Sequence, residues 1–228
     1  MENVHIAIDG PSGAGKSTMA KLLSKRLGFI YLDTGAMYRA LALKAIRMNI
    51  DTKDREKVIE LLPSLDIKII YKSGSQVILL DGEDVSEKIR TDQVSMGASN
   101  VSAIPEVREK LVRMQQEIAS NNNVVMDGRD IGTHVLPNAQ IKIFLTASVT
   151  ERAKRRYNEL FQKGLLTKSY EELVKEIETR DYNDSNRSVS PLRKADDAIL
   201  LDTSTLSIEE TVEEILKIIN RKGLNNVI

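Results

Sequence analysis

The 228-residue chain contains no cysteine, which excludes disulfide frameworks, thiolate metal sites and cysteine nucleophiles together and suits a reducing compartment. Two histidines, His5 and His134, do not supply a histidine metal cluster. Charge of one sign is also missing. Lys and Arg number 33 and so do Asp and Glu, so no net field exists to hold a long polyanion, and nucleic acid is not expected as a partner. Apolar runs stay well short of membrane length, and Met1-Glu2-Asn3 leads into the first of them without a basic start or a long apolar stretch. No membrane association and a cytoplasmic address are the expectations. What remains is ordinary globular material, 41% hydrophobic and 29% charged, of a length that favours one large domain carrying an insertion.

Apolar periodicity then gives the element order. Val4 to Asp9 reads as a buried strand, followed by a glycine-rich turn and a helical pattern through Met19, Leu22, Leu23 and Leu27 that Gly28 closes. Phe29 to Leu32 reads as a second strand and Ala36 to Met48 as a helix. Apolar runs at Val124 to Met126, Ile141 to Leu145 and Ala198 to Leu201 alternate with helical segments, which predicts a parallel sheet with helices on both faces. Ile67 to Tyr71 and Val77 to Leu80, joined by Lys72-Ser73-Gly74-Ser75, break that rhythm as an antiparallel hairpin, so residues 63–97 are expected to be an inserted subdomain. Glu151 to Gln162 and Ser169 to Tyr182 are two charged helical segments meeting at Lys163-Gly164, a candidate flap.

Gly10-Pro11-Ser12-Gly13-Ala14-Gly15-Lys16-Ser17 matches the phosphate-loop pattern G-x-x-x-x-G-K-[ST] in full, between a predicted strand and a predicted helix, with Thr18 continuing into the helix. Glycines let the backbone turn tightly and aim N–H groups inward, and the helix start adds the positive end of its dipole. Lys16 is expected to reach the terminal phosphates of ATP, and the Ser17 hydroxyl to hold Mg2+. Val124 to Asp127 has the shape of an apolar strand ending in a metal-holding carboxylate, so Asp33 and Asp127 are both candidates to assist Ser17. Asn-Lys-x-Asp and Asp-x-x-Gly strings are absent, which argues against a guanine-nucleotide switch.

Four further segments carry a resemblance. Asp33-Thr34-Gly35-Ala36-Met37-Tyr38-Arg39, Gly97-Ala98-Ser99-Asn100-Val101 with Pro105-Glu106-Val107-Arg108-Glu109, Asp127-Gly128-Arg129-Asp130-Ile131-Gly132-Thr133, and Thr179 to Arg187 together resemble bacterial-type cytidylate kinases along nearly the whole chain. The resemblance implies a three-layer α/β P-loop NTPase fold with a parallel core sheet, an inserted acceptor-side subdomain and a helical lid over residues 152–168. It implies phosphorylation of CMP and dCMP by ATP. By the same resemblance Thr34 and Arg39 contact the acceptor nucleotide, with Arg39, Arg129 and Arg187 on its phosphate. Ser99, Arg108 and Asp130 would surround the base, and Arg180 and Asp184 the sugar.

Physical sense supports those roles. A guanidinium fork grips a phosphate in two bonds, and a carboxylate accepts from the cytosine N4 amino group where uracil presents a carbonyl. Taken alone, Arg39 and Arg108 read as solvated helix residues, and Arg180, Asp184 and Arg187 as one stripe of surface ion pairs. Arg152, Arg155 and Arg156 share one helical face beside the flap and resemble lid arginines that neutralise charge on the transferring group. The alternative is surface pairing of Glu151 with Arg155 and of Arg155 with Glu159. A monomer acting on small nucleotides is expected, and its rivals are a kinase of AMP, UMP or shikimate and a nucleotide-dependent switch.

Overall fold

The computed structural model describes residues 3–72 and 74–224; residues 1, 2 and 225–228, and Ser73 of the Lys72-Ser73-Gly74-Ser75 segment, lie outside the described residues. In chain order, β1 (His5–Asp9) feeds α1 (Lys16–Leu27), and β2 (Ile30–Asp33) runs without a loop into α2 (Thr34–Arg47). After α3 (Arg55–Leu61) come β3 (Ile67–Lys72), β4 (Ser75–Leu80) and the short β5 (Glu83–Asp84). α4 (Asp92–Val101) and α5 (Pro105–Ser120) precede β6 (Val124–Gly128), β7 (Ile141–Thr146), α6 (Val149–Gln162), α7 (Tyr170–Asn186), β8 (Ile199–Asp202) and α8 (Ile208–Arg221).

The boundaries have local causes. Gly28 adopts a left-handed conformation, φ 68°, and closes α1 behind the basic pair Lys25 and Arg26. The Asp33 side chain accepts from the Ala36 N–H, so the last residue of β2 is the cap of α2 and no linker is needed. Ser169 with Glu172, and Ser207 with Glu210, form capping boxes that start α7 and α8.

Five strands form one parallel sheet in the order β2-β6-β1-β7-β8, as the alternating apolar runs predict. Side chains alternate across it. Ile6, Ile8, Val125, Ile143 and Leu145 pack on one face against Met19 and Leu23 of α1 and Val212, Ile215 and Ile219 of α8. Ala7, Leu32 and Met126 face the opposite layer, with α2 and Leu111 of α5. The chain leaves β1 toward β2 and leaves β6 toward β7 on the other side of β1, so a crevice opens at the carboxyl ends of these strands, where open α/β sheets bind ligands.

β3, β4 and β5 form a separate antiparallel sheet. Its Ile67, Ile78 and Leu80, with Val85 and Ile89 beyond, join the same apolar cluster as α2, which explains why that helix is buried almost all round. Tyr71 donates to the Tyr31 carbonyl at 2.9 Å and the Asp33 N–H donates to Gln76 Oε1 at 2.8 Å, so the hairpin is fixed to β2 beside the crevice. α4 spans the position where the sequence placed the end of the insertion at 97. Among the described residues no helix is long and apolar enough to cross a membrane.

Candidate active site

The turn after β1 adopts the conformation its glycines permit. Gly10, Gly13 and Gly15 have φ of 147°, 76° and 90°, and a Cβ on Gly10 would lie 1.9 Å from the Leu145 carbonyl oxygen. Lys16 opens α1, is buried, and donates from Nζ to the Pro11 carbonyl at 2.6 Å. Burial, seconded by the Arg129 guanidinium, pushes its amine well below the usual range, and Asp127 works in the opposite direction. Ser17 and Thr18 stand on the exposed side of the same turn.

Asp127, at the end of β6, is where two hydroxyls converge. Ser17 Oγ donates to its Oδ2 and Tyr31 Oη to its Oδ1, both at 2.8 Å. Burial, with the Asp33 carboxylate nearby, raises the Asp127 pKa. Thr34 is buried and donates to the Asp127 carbonyl at 2.8 Å, so its hydroxyl ties α2 to β6.

Arginines gather opposite the phosphate loop. Arg39 Nη2 lies 2.7 Å from Asp33 Oδ2, and Arg129 Nε donates to Asp184 Oδ2 at 2.7 Å. Arg180, on α7 one turn before Asp184, sits near both groups: burial lowers its pKa to about 10, with Arg129 and Arg39 adding to the shift and Asp184 opposing it. Lys16 itself feels Arg129, Arg180 and Asp184, so the two sets of cations share one cleft. The stripe expected on α7 is incomplete, because Arg187 is the C-cap residue with extended backbone, ψ 144°, and its side chain turns back to donate to the Ser190 carbonyl at 2.6 Å.

Arg108 is not a solvated helix residue. It is 3% exposed, pairs through Nη2 with Asp130 Oδ2, and its guanidinium carbon lies 5.7 Å from the Tyr38 ring centroid. Arg187 Nη2 approaches the other Asp130 oxygen at 3.5 Å. Ser99 lies on α4 one turn before Ser102, whose carbonyl accepts from Arg108. Asp130 is held in place by a turn of π-helix over Ile131–Val135, a geometry concentrated at functional sites, where the sequence suggested only a loop.

The three α6 arginines diverge. Arg152 is buried and braces the loop, donating from Nη1 to the Ser12 carbonyl at 3.0 Å and pairing with Asp181 at 2.6 Å. Arg155 donates to Thr203 Oγ1 at 3.1 Å and lies 3.5 Å from Glu151. Arg156 turns to Glu159 at 3.1 Å and Asp92 at 3.5 Å, away from the other site arginines. Glu159 is therefore the partner of Arg156 and Lys163, not of Arg155.

Sequence reasoning passed over several groups. Asp9 ends β1 and accepts from the N–H groups of Ile131 and Gly132 at 2.8 and 2.7 Å, which fixes the turn carrying Asp130. Tyr31 orients Asp127, and Arg90 reaches Asp33 Oδ2 at 3.1 Å. A signal existed for Asp9: four strands of the sheet carry an aspartate at or near their carboxyl ends, Asp9 among them beside Asp33, Asp127 and Asp202. Arg90 gave none, since it follows a short strand in a charged segment.

Such a cleft, with a phosphate loop on one wall and guanidinium groups on the other, is that of a P-loop kinase. Solved structures bear out the fold: a gluconokinase from Sinorhizobium meliloti 1021 superposes with a TM-score of 0.50 at 13% identity, over 96% of this chain and 92% of that one. An uncharacterized protein from Eubacterium ventriosum gives 0.51 at 12%, over 96% and 99%. Sequence likeness is much closer to one group. The cytidylate kinase family model matches residues 6–221. Cytidylate kinase of Caldicellulosiruptor bescii is 56% identical over 227 residues, all of both chains, and that of Bacillus subtilis 51% identical over 222 residues, 97% of this chain and 99% of that one. The chain belongs to the cytidylate kinase family.

Proposed function

We propose that the chain transfers the γ-phosphoryl group of ATP to CMP or dCMP, giving ADP with CDP or dCDP. The observation that carries the reading is that β6 joins the two halves of the cleft: Asp127 at its end takes the Ser17 hydroxyl of the phosphate loop, and Arg129 and Asp130, which follow within three residues, pair with Asp184 and Arg108. Backbone N–H groups of the loop from Gly10 to Thr18, Pro11 excepted since it has none, hold the donor phosphates together with Lys16. Arg39, Arg129 and Arg187 take the acceptor phosphate, and Arg180 and Asp184 the sugar.

Ser99, Arg108 and Asp130 read the base. Each Asp130 oxygen keeps a free lone-pair direction beside its guanidinium partner, so the carboxylate still accepts from the cytosine amino group. No general base is required, since a phosphate acceptor is already largely anionic near neutral pH, its second pKa being about 6. Catalysis then rests on alignment and charge neutralisation. Arg152 contributes by holding the Ser12 carbonyl, and Arg155 from the same helix by lying near Gly15. Arg156 serves the closure of a lid over residues 152–168.

The donors near the loop fit Mg2+. Ser17 and Asp127 offer hard oxygens, the donors taken by an ion held by one or two side chains and substrate phosphates. When bound, the ion neutralises charge between the β- and γ-phosphates. Residues 63–97 act as an acceptor-side unit, and the protein works as a cytoplasmic monomer without nucleic acid or membrane. A coupled assay of ADP release with ATP and Mg2+ across CMP, dCMP, UMP, AMP and shikimate tests the assignment. Efficiency highest for CMP and dCMP is expected, and equal efficiencies for CMP and UMP would refute it.

A further inference from the structure

The insertion contributes more than a wall to the crevice. Its last turn, the 3-10 segment Lys88–Arg90, is pinned by Ile89, which is completely buried in the core beside α2. The backbone of that turn is tied by Ile89 N–H to the Val85 carbonyl at 3.0 Å and Arg90 N–H to the Glu87 carbonyl at 3.1 Å. A fixed backbone and a half-exposed side chain aim the Arg90 guanidinium at the end of β2. There Arg90 Nη2 lies 3.1 Å from Asp33 Oδ2, the same oxygen that Arg39 Nη2 approaches at 2.7 Å. The other Asp33 oxygen is committed to the α2 cap.

One carboxylate oxygen therefore serves two guanidinium groups. Burial alone would raise the Asp33 pKa, yet Arg39, Arg90 and the Ala36 N–H hold it below the ordinary carboxylate value. Arg39 Nε is buried and has no hydrogen-bond partner. Arg129 and Arg180 face the same region, with Asp184 as their shared carboxylate. At Asp33 itself two guanidinium groups confront one carboxylate, an excess that suits the charge of about −1.5 to −2 on a phosphate monoester. Of the two, Arg90 has the greater solvent access and the longer contact to the carboxylate, so it is the one more readily exchanged to an incoming phosphate oxygen.

We infer that Arg90 is a further ligand of the acceptor phosphate, delivered by the insertion, and that Asp33 is the resting partner it shares with Arg39. The inference rests on the acceptor reading above. Gln76 strengthens the placement, because its Oε1 accepts from the Asp33 N–H and so registers the hairpin on the same residue that Arg90 reaches. The acceptor phosphate would then bridge the core, through Arg39, and the insertion, through Arg90. A nucleoside without that phosphate would bind without engaging Arg90.

That asymmetry gives the test. Affinities for CMP and for cytidine are measured by NMR titration with the full chain and with Arg90→Gln. Loss of one charge-assisted contact should weaken CMP by about 10- to 100-fold and leave cytidine within about twofold. Arg90→Lys, which keeps the charge and loses the fork, should fall between. CMP affinity unchanged in Arg90→Gln overturns the inference, and so does parallel weakening of CMP and cytidine, which marks a structural role. Unaltered protein that binds CMP no better than cytidine overturns the acceptor reading itself, a result read before any variant is made.

Discussion

Replacing Asp130 by Ala removes the carboxylate that pairs with Arg108 and faces Arg187. Both members of the Arg108–Asp130 pair are buried, with side chains 4% and 8% exposed, so the substitution strands a guanidinium away from water. Breaking a buried pair from one side costs about 3–5 kcal/mol, and a chain of this length loses roughly 2–4 °C of melting temperature per kcal/mol, so a fall on the order of 10 °C is expected without ligand. On the proposed reading of the base the variant would also give up one charge-assisted bond to the cytosine amino group, worth about 1.5–3 kcal/mol, or about 10- to 100-fold in kcat/KM for CMP. UMP never had that bond and its efficiency should change less, which moves the CMP-to-UMP ratio toward unity. The KM for ATP should stay within about twofold, because the phosphate loop does not touch Asp130. Pairing the change with Arg108→Met separates the two effects: the double variant should recover part of the melting temperature, the stranded charge being gone, and none of the selectivity. Steady-state assays with both nucleotides and thermal melts of the three variants read this out. Retention of the CMP-to-UMP ratio in Asp130→Ala would refute the base assignment whatever happens to stability.

Two further outcomes follow from the same contacts. Arg152→Ala frees the Ser12 carbonyl and leaves Asp181 without its cation, so KM for ATP should rise about tenfold with KM for CMP nearly unchanged; equal rises in both would place Arg152 outside the donor site. Burial lifts Asp9 from 3.8 to about 6 against the lowering effect of the Gly132 and Ile131 N–H groups, so the folded state holds this proton more tightly than the unfolded state. Asp9 therefore subtracts stability as pH rises from about 4 to about 6, by an amount on the order of 3 kcal/mol. Urea unfolding of the protein and of Asp9→Asn at pH 4, 5, 6 and 7 should show the advantage of the natural residue shrinking across that window, and a constant difference would reject the shift.

The strand-loop-helix unit, the parallel sheet and the hairpin were legible because each is written locally. A full phosphate-loop string, alternating apolar runs and a glycine turn require no knowledge of distant residues. The family and the kinase activity were legible through motifs spread over the chain, and the family model and relatives bear that reading out. What the sequence hid depends on tertiary contact. Arg108 looks like any helical arginine until Asp130 and Tyr38 meet it, and the π-turn after Asp130 exists because Asp9, more than a hundred residues earlier, accepts two of its N–H groups. Arg156 looks equivalent to Arg152 in the sequence. A fixed helix phase and the position of Asp92 send it elsewhere.

Sequence alone also left open which aspartate would assist Ser17 with a cation under the proposed function, and the contacts of the candidates differ. Asp33 and Asp127 lie side by side across the β2–β6 pairing, and Asp9 ends the next strand, so three acidic groups crowd the carboxyl edge of a parallel sheet. Each is compensated differently. Asp9 spends both oxygens on backbone N–H groups that cannot leave without unmaking the turn that carries Asp130. Asp33 spends one on the α2 cap and the other on two guanidinium groups, so its charge is already matched. Asp127 alone of the three is held by hydroxyls, from Ser17 and Tyr31, and a hydroxyl offers a lone pair to a cation as readily as a proton to a carboxylate. Its raised pKa has the same origin, burial beside Asp33 without a matching positive charge in direct contact. A divalent ion beside Ser17 would supply that charge, so on the proposed function Asp127 is the better placed carboxylate for Mg2+ and Asp33 the partner of Arg39 and Arg90.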